Sequence, residues 1–156
     1  MTPALKPKLT PQQLQDYLHL HIPLSKAMEV KVAHADIDKV TLTAPLAPNI
    51  NHKETVFGGS AAAVAILSAW TLLHYRLTLE NLPSQVVIQR NSMDYDKPIR
   101  TDFSATALPP DMKQWEKFST TLKRRHRARL SITAILYCEE EPVGSLEGTF
   151  VALRQG

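Results

Sequence analysis

Apolar residues recur along this chain with two different periods, and each change of period marks a change of element. Val30 and Val32, then Val40, Leu42 and Ala44, alternate with polar residues in two extended runs that meet across a turn at Asp36 to Lys39. That alternation predicts a half-buried hairpin. Before it, Thr10 stands as an N-cap ahead of Pro11 and Gln13, so a short helix is expected over Pro11 to Leu20, ending before Pro23. It lies in an N-terminal flank, residues 1–26, ahead of the main body of the fold. After the hairpin, Pro45 to Asn51 has the proline and asparagine content of a loop, and it delivers the chain to its longest uncharged stretch.

Val56 to Leu73 holds eighteen residues without a formal charge. It is apolar on every side of a helical wheel, the profile of a buried helix, and should run from the glycine pair Gly58 and Gly59 to about Leu79 before Pro83. Length alone would also allow a membrane span. Five of the eighteen residues are Gly, Ser or Thr, and the strand-forming, charged sequence that follows needs a packed partner rather than lipid. A core helix is therefore expected, and no membrane span.

Beyond Pro83, Gln85 to Tyr95 and Ile99 to Leu108 read as extended runs, joined through Asp96, Lys97 and Pro98 into a second hairpin. Pro109 and Pro110 end it. Met112, Trp115, Phe118 and Leu122 then recur at spacings of three and four, which predicts an amphipathic helix over Asp111 to Lys123. Arg129 to Cys138 and Val143 to Leu153, separated by an acidic turn and Pro142, make a last hairpin. One apolar helix against one antiparallel sheet is an α+β fold. There is no internal repeat.

Composition narrows this reading only slightly. A chain of 156 residues with 44% hydrophobic content suits one domain, residues 1–156. Cys138 is the only cysteine, so an intrachain disulfide and a cysteine-rich zinc site are excluded, and the thiol is expected to be a small core residue. The histidines show no zinc-site spacing, and no metal is expected. MTPALKPKLTPQQ lacks the apolar run of a signal peptide, which points to the cytoplasm. Net charge is +3. It is concentrated once, where Lys123, Arg124, Arg125, Arg127 and Arg129 place five formal positive charges within seven residues. Those charges suit phosphate groups or a nucleic acid, and equally a solvated helix end. Aromatic residues are 6% of the chain and none interrupts the run, so nucleic acid is not the expected partner.

The chemistry-bearing candidates gather where the central helix begins. The first amides of that helix, at Gly58, Gly59 and Ser60, have no intrahelical acceptors and attract a developing negative charge. Asn51, His52, Glu54, Thr55 and Ser60 supply polar groups around them. Glu54 is the only acid near this point; it is a candidate base, and equally an exposed carboxylate favoured by the positive helix end. His52 is a second candidate base. Asp94 and Tyr95 lie at a strand end, where Asp94 could face a partner's cleft, while Asp96 is accounted for by the turn. No Ser or Cys sits in a nucleophile-elbow pattern, so a covalent triad is not expected.

Asn51-His52-x-x-Thr55-Val56-x-Gly58-Gly59 resembles the motif at the start of the central helix in hotdog-fold acyl-CoA thioesterases. Pro48 to Asn51, Thr55-x-Phe57-x-Gly59-Ser60, Tyr95-x-Lys97-Pro98-Ile99, Arg127-Ala128-Arg129 and Glu147-Gly148-Thr149 are similar to the thioesterase domain at the C-terminus of YiiD-type proteins. The resemblance spans the chain from about Pro45 onward. It implies a hotdog fold, a curved antiparallel sheet wrapped around a long central helix, working as a homodimer or a dimer of dimers. It also implies hydrolysis of an acyl-CoA or acyl-carrier-protein thioester, with coenzyme A as part of the substrate and no separate cofactor.

In that setting the helix-start amides would receive the thioester carbonyl, and Asn51 would orient water or substrate, with Glu54 or Asp94 as base. His52, Thr55, Phe57, Gly58, Gly59, Ser60 and Tyr95 would line the substrate site, and Arg124, Arg125 and Arg127 would hold coenzyme A phosphates. The sequence departs from related enzymes at Glu54, where Gly is common, at Phe57, where His is common, and at Ile66, where an acid stands on the helix. No Asp or Glu occurs between Val56 and Leu79. An acyl-binding module without turnover is therefore the competing reading. About forty residues precede the motif, so the acetyltransferase domain found ahead of it in YiiD-type proteins is not expected here.

Overall fold

The first helix, α1 (Pro11–His21), starts as its sequence predicts. The Thr10 hydroxyl accepts the Gln13 N–H at 3.1 Å while the Gln13 side chain accepts the Thr10 N–H at 2.9 Å, a reciprocal cap. The computed structural model describes residues 9–154; the opening residues of the flank, 1–8, where the absence of a signal peptide was read, lie outside them, as do 155–156. Leu14 and Leu18 are fully buried, so α1 contributes to the core as well as flanking it. A five-residue helix absent from the sequence expectation, α2 (Pro23–Ala27), turns the chain into the sheet, because Pro23 supplies a first-turn φ without needing a hydrogen-bonded N–H.

Six strands form one antiparallel sheet: β1 (Lys31–Ala35), β2 (Val40–Ala44), β3 (Ser84–Tyr95), β4 (Phe103–Ala107), β5 (Arg127–Cys138) and β6 (Glu141–Arg154). Their order across the sheet is β1-β2-β4-β5-β6-β3. The first and last hairpins form as expected. The middle one does not, since β3 pairs with β6 and β4 lies between β2 and β5.

Composition and length explain that exchange. β4 buries Phe103, Ala105 and Ala107 and fits the middle of the sheet, whereas β3 carries Gln89, Arg90, Asn91, Ser92 and Asp94 and suits an edge. The 12-residue β3 also matches the 14-residue β6 rather than the 5-residue β4. Residues 96–102 cross from one position to the other, with the Asp96 and Lys97 N–H groups both donating to the Val143 carbonyl.

The central helix, α3 (Gly58–Leu79), lies in the concave face of this sheet. Val64, Ala65, Leu72 and Leu73 are fully buried among inward side chains such as Leu42, Leu136 and Phe150. Each buried leucine contributes about 2 kcal/mol by removal from water. By length and composition α3 could cross a membrane, but more than half of that stretch is buried inside the protein, as in the core helix of a globular fold. Its buried hydroxyls bond back along the helix, Ser68 to the Ala65 carbonyl and Thr71 to the Leu67 carbonyl, both at 2.7 Å. The last helix, α4 (Met112–Arg125), is capped by Asp111 and buries Trp115, Phe118 and Leu122 against the sheet. It ends where His126 takes a left-handed φ of 60°.

Candidate active site at the start of the central helix

Asn51 organises the loop that presents α3. Its Oδ1 accepts the backbone N–H groups of Lys53 at 2.8 Å and Thr55 at 3.1 Å, and its Nδ2 donates to the Thr55 hydroxyl at 2.8 Å. The side chain is thus engaged on both its oxygen and its nitrogen by its own loop. Glu54 sits at the tip with a φ of 64°, exposed, and its N–H donates to the Asn51 carbonyl. The loop is anchored to the body by three longer links. The Val56 N–H donates to the Ile99 carbonyl, the Phe57 N–H to the Asn49 carbonyl, and the buried Asn49 Nδ2 to the Met28 and Pro45 carbonyls. Asn49 is a framework residue whose weight is visible only once these contacts form.

Phe57 caps α3 with extended backbone, and its carbonyl accepts the N–H groups of both Ser60 at 2.9 Å and Ala61 at 3.1 Å. The Ser60 amide is therefore not free, unlike the expectation from helix geometry alone. The N–H groups of Gly58 and Gly59 have no protein acceptor among the described residues. Both glycines have negative φ, so neither is needed for an unusual backbone. What they provide is space: a Cβ on Gly59 would stand 2.3 Å from the Phe57 ring, and one on Gly58 would touch the Tyr95 ring at 3.5 Å. Tyr95 reaches in from the end of β3, its hydroxyl donating to the Gly58 carbonyl at 3.2 Å.

Between these groups lies a pocket of about 200 Å³ lined by Val56, Gly58, Ala61 and Tyr95, and closed by the crossover residues 96–99. The carboxylate on this lining is Asp96. The sequence offered Asp96 as a turn former, because only the crossing of 96–102 over the helix start brings it here. Glu54 and His52 are exposed on the loop outside this lining, as is the half-buried Thr55. Asp94 alternates with Met93 and Tyr95 along β3, so it faces away from the helix. Lys97 is held at the rim by Glu141 at 3.3 Å.

A second, apolar groove of about 250 Å³ runs beside α3. The helix lines it with Ala63, Ile66 and Trp70, so the position where related enzymes carry an acid is part of a hydrocarbon surface. Ile22, Leu24 and Met28 form the opposite wall, with Ile88 and Phe150 from the sheet. Just beyond Trp70, His74 stacks on both Trp70 and Tyr17 in a three-ring cluster, and burial, with a smaller repulsion from His21, holds its pKa below the ordinary 6.5.

The basic run stands elsewhere. Arg127 pairs with Leu153, which pairs with Gln85 at the start of β3, whereas Tyr95 aligns with Gly144 and Leu136. Nine residues of β5 separate the two ends, about 30 Å of strand. Arg124, Arg125 and Arg127 are thus remote from Gly58 within one chain.

Residues 11–154 match the model of the family described as "Putative thioesterase (yiiD_Cterm)". Among solved structures, a protein of unknown function from Chlorobaculum tepidum is 30% identical with a TM-score of 0.88, the match covering 95% of this chain and 99% of that one. A thioesterase candidate from Shewanella oneidensis is 24% identical with a TM-score of 0.83 over 92% of this chain and 96% of its own. A thioesterase from Haemophilus influenzae shares the fold at 15% identity and a TM-score of 0.74, over 96% and 94% of the two chains.

Proposed function

The chain belongs to this thioesterase family and has its hotdog fold, and from that premise we propose that it hydrolyses acyl thioesters of coenzyme A or of an acyl-carrier protein at the start of α3. The observation that carries the reading is the pair of unengaged N–H groups, Gly58 and Gly59, at a helix start whose adjoining pocket has Gly58 and one acidic residue, Asp96, on its lining. Two amides at a positive helix end suit the oxyanion that forms when water adds to a thioester carbonyl. Asp96 takes a proton from the attacking water, the carbonyl carbon gains the oxygen, and the C–S bond breaks as the intermediate collapses. The proton then passes to the departing thiolate. Glu54, on the loop tip, is the competing base, and Asn51 acts by fixing the loop that aims the amides. Tyr95 and Phe57 flank the reacting group.

Assembly completes the proposal. β3 is the long edge of the sheet, with Val87 51% and Tyr95 57% exposed, and a second copy paired antiparallel along it would form a homodimer and cover that edge. Antiparallel pairing sets the start of one β3 beside the end of the other. With Gln85 set opposite the partner's Tyr95, Arg127 of one subunit lies about 14 Å, three strand spacings, from that tyrosine, the side chain that bonds to the helix start, rather than about 30 Å away as within one chain. Coenzyme A phosphates are the ligands those arginines would take.

Free-thiol release from a panel of acyl-CoAs tests the reading, with Asp96→Asn and Glu54→Gln alongside wild type. Release by wild type that Asp96→Asn abolishes supports it as stated; loss only in Glu54→Gln moves the base to the loop. Tight acyl-CoA binding with no release by any protein makes this a binding module.

A further inference from the structure

We propose that Trp70 is the end wall of an acyl groove and sets the chain length this protein accepts, an inference that rests on the thioester reading above. On α3, Gly59, Ala63, Ile66 and Trp70 follow spacings of three and four and therefore share one stripe. The stripe begins at an unengaged amide and runs under the Phe57 ring, which lies against Gly59 and is 57% exposed. It continues through the small side chain of Ala63 into the apolar groove beside Ile66. The groove lies on this stripe, whereas the polar pocket takes Gly58 and Ala61 from the other side of the helix's first turn, so the Gly59 amide is the point at which an acyl chain leaving the thioester would enter the stripe.

The groove has no hydrogen-bonding group to offer an occupant. Its one polar side-chain atom, the Trp70 indole Nε1, already donates to the Val86 carbonyl at 2.9 Å. A chain bearing a hydroxyl or a carboxylate at depth would lose its water without a replacement partner, so an unsubstituted hydrocarbon chain is the occupant that fits. The wall is also fixed. Besides the indole hydrogen bond, Trp70 stacks on His74 at 4.9 Å and 10°, and Tyr17 stacks on both, 4.7 Å from His74 and 6.4 Å from Trp70.

Distance gives the length. Gly59 and Trp70 are eleven residues apart, about 16 Å of helix axis, and the lean of the Trp70 side chain toward the helix start shortens the free path to about 12 Å. An extended chain advances about 1.3 Å per carbon, somewhat less than a C–C bond, which makes room for about eight to ten carbons.

The test is kcat/KM and calorimetric affinity for straight-chain acyl-CoAs from two to sixteen carbons, with a ten-carbon chain ending in a carboxylate as a further probe. Affinity is expected to rise by up to about fourfold per methylene and to level off near eight to ten carbons, with the carboxylate-tipped chain bound at least about 10-fold more weakly. Trp70→Ala should move the break to longer chains, and Ala63→Phe, which fills the groove nearer its mouth, should move it to shorter ones. Opposite shifts cannot come from misfolding. A flat length profile in a protein that releases thiol overturns the inference and leaves the thioesterase reading standing. The same break in affinity without thiol release sustains the inference and removes the hydrolase. Identical profiles for wild type, Trp70→Ala and Ala63→Phe overturn Trp70 as the wall.

Discussion

The two ends of the sheet handle polarity in opposite ways. At the helix start, the structural polar side chains are held by the surrounding chain: Asn51 by Thr55 and the backbone of its own loop, Asn49 by the Met28 and Pro45 carbonyls, Lys97 by Glu141. The backbone donors left unengaged there are the Gly58 and Gly59 amides. At the other end the side chains are the unengaged groups. Lys123, Arg124, Arg125, Arg127 and Arg129 form no ion pair among the described residues, and Arg129 makes only a long contact of 3.4 Å to Gln89. A rigid polar loop can hold two donors where charge develops during a reaction, which is a task of position. Cations without partners act on a charged ligand at longer range, a task of affinity.

If that division holds, the largest effect belongs to the pocket. Asp96→Asn should lower thiol release by about 10²-fold or more while leaving acyl-CoA binding within about 3-fold, as read by single-turnover kinetics and calorimetry. Glu54→Gln, outside the lining, should cost far less. The reverse ranking would place the proton acceptor on the loop tip.

The next effect is structural. Asn51→Ala removes the acceptor of two backbone N–H groups and the donor to Thr55, and should destabilise the fold by about 2 kcal/mol in denaturant titration. Turnover should fall with KM little changed, because the loop aims the amides without touching substrate. Unchanged stability would show that the loop holds without this side chain.

The third acts at the other end. Reversing the charges of Arg124, Arg125 and Arg127 should raise KM for acyl-CoA by about 10-fold and spare thioesters that lack the nucleotide. Light scattering should show a dimer at micromolar concentration. A monomer with full acyl-CoA turnover would break the proposed link between the basic run and the helix start, since one chain keeps them about 30 Å apart.

The smallest is a pH effect on stability. His74 has its folded pKa pushed down, chiefly by burial and then by His21, so the unfolded chain takes up a proton more readily than the folded one. Its contribution is fully present above about pH 6.5 and is lost as pH falls below that value. The melting temperature should decline by a few degrees between pH 7 and pH 5, and His74→Phe should flatten that slope. A slope that survives the substitution would assign it to other groups.

Much of this fold was legible in the chain. Two hairpins, the capped start of α1, the amphipathic α4 and the buried central helix follow from local period and cap chemistry. The partner of β3 was not legible, because a run followed by Asp96-Lys97-Pro98 looks like a hairpin, and only the competition among strands for buried neighbours decides otherwise. The same nonlocal choice hid Asp96, which reaches the pocket through the crossover. Gly58 and Gly59 were legible as the helix start. That Ser60 bonds back to Phe57 and that Asn51 faces its own loop depend on the conformation of a few residues, which residue type alone does not fix.

Steady-state thiol release from acyl-CoA by the unaltered protein tests the central claim most directly. Saturable release that follows acyl-CoA concentration, and that disappears in Asp96→Asn protein of unchanged affinity, is the result this account predicts. Saturable binding by calorimetry with thiol appearing no faster than in buffer would contradict it, and would leave the helix start as a cradle that holds the thioester without cleaving it.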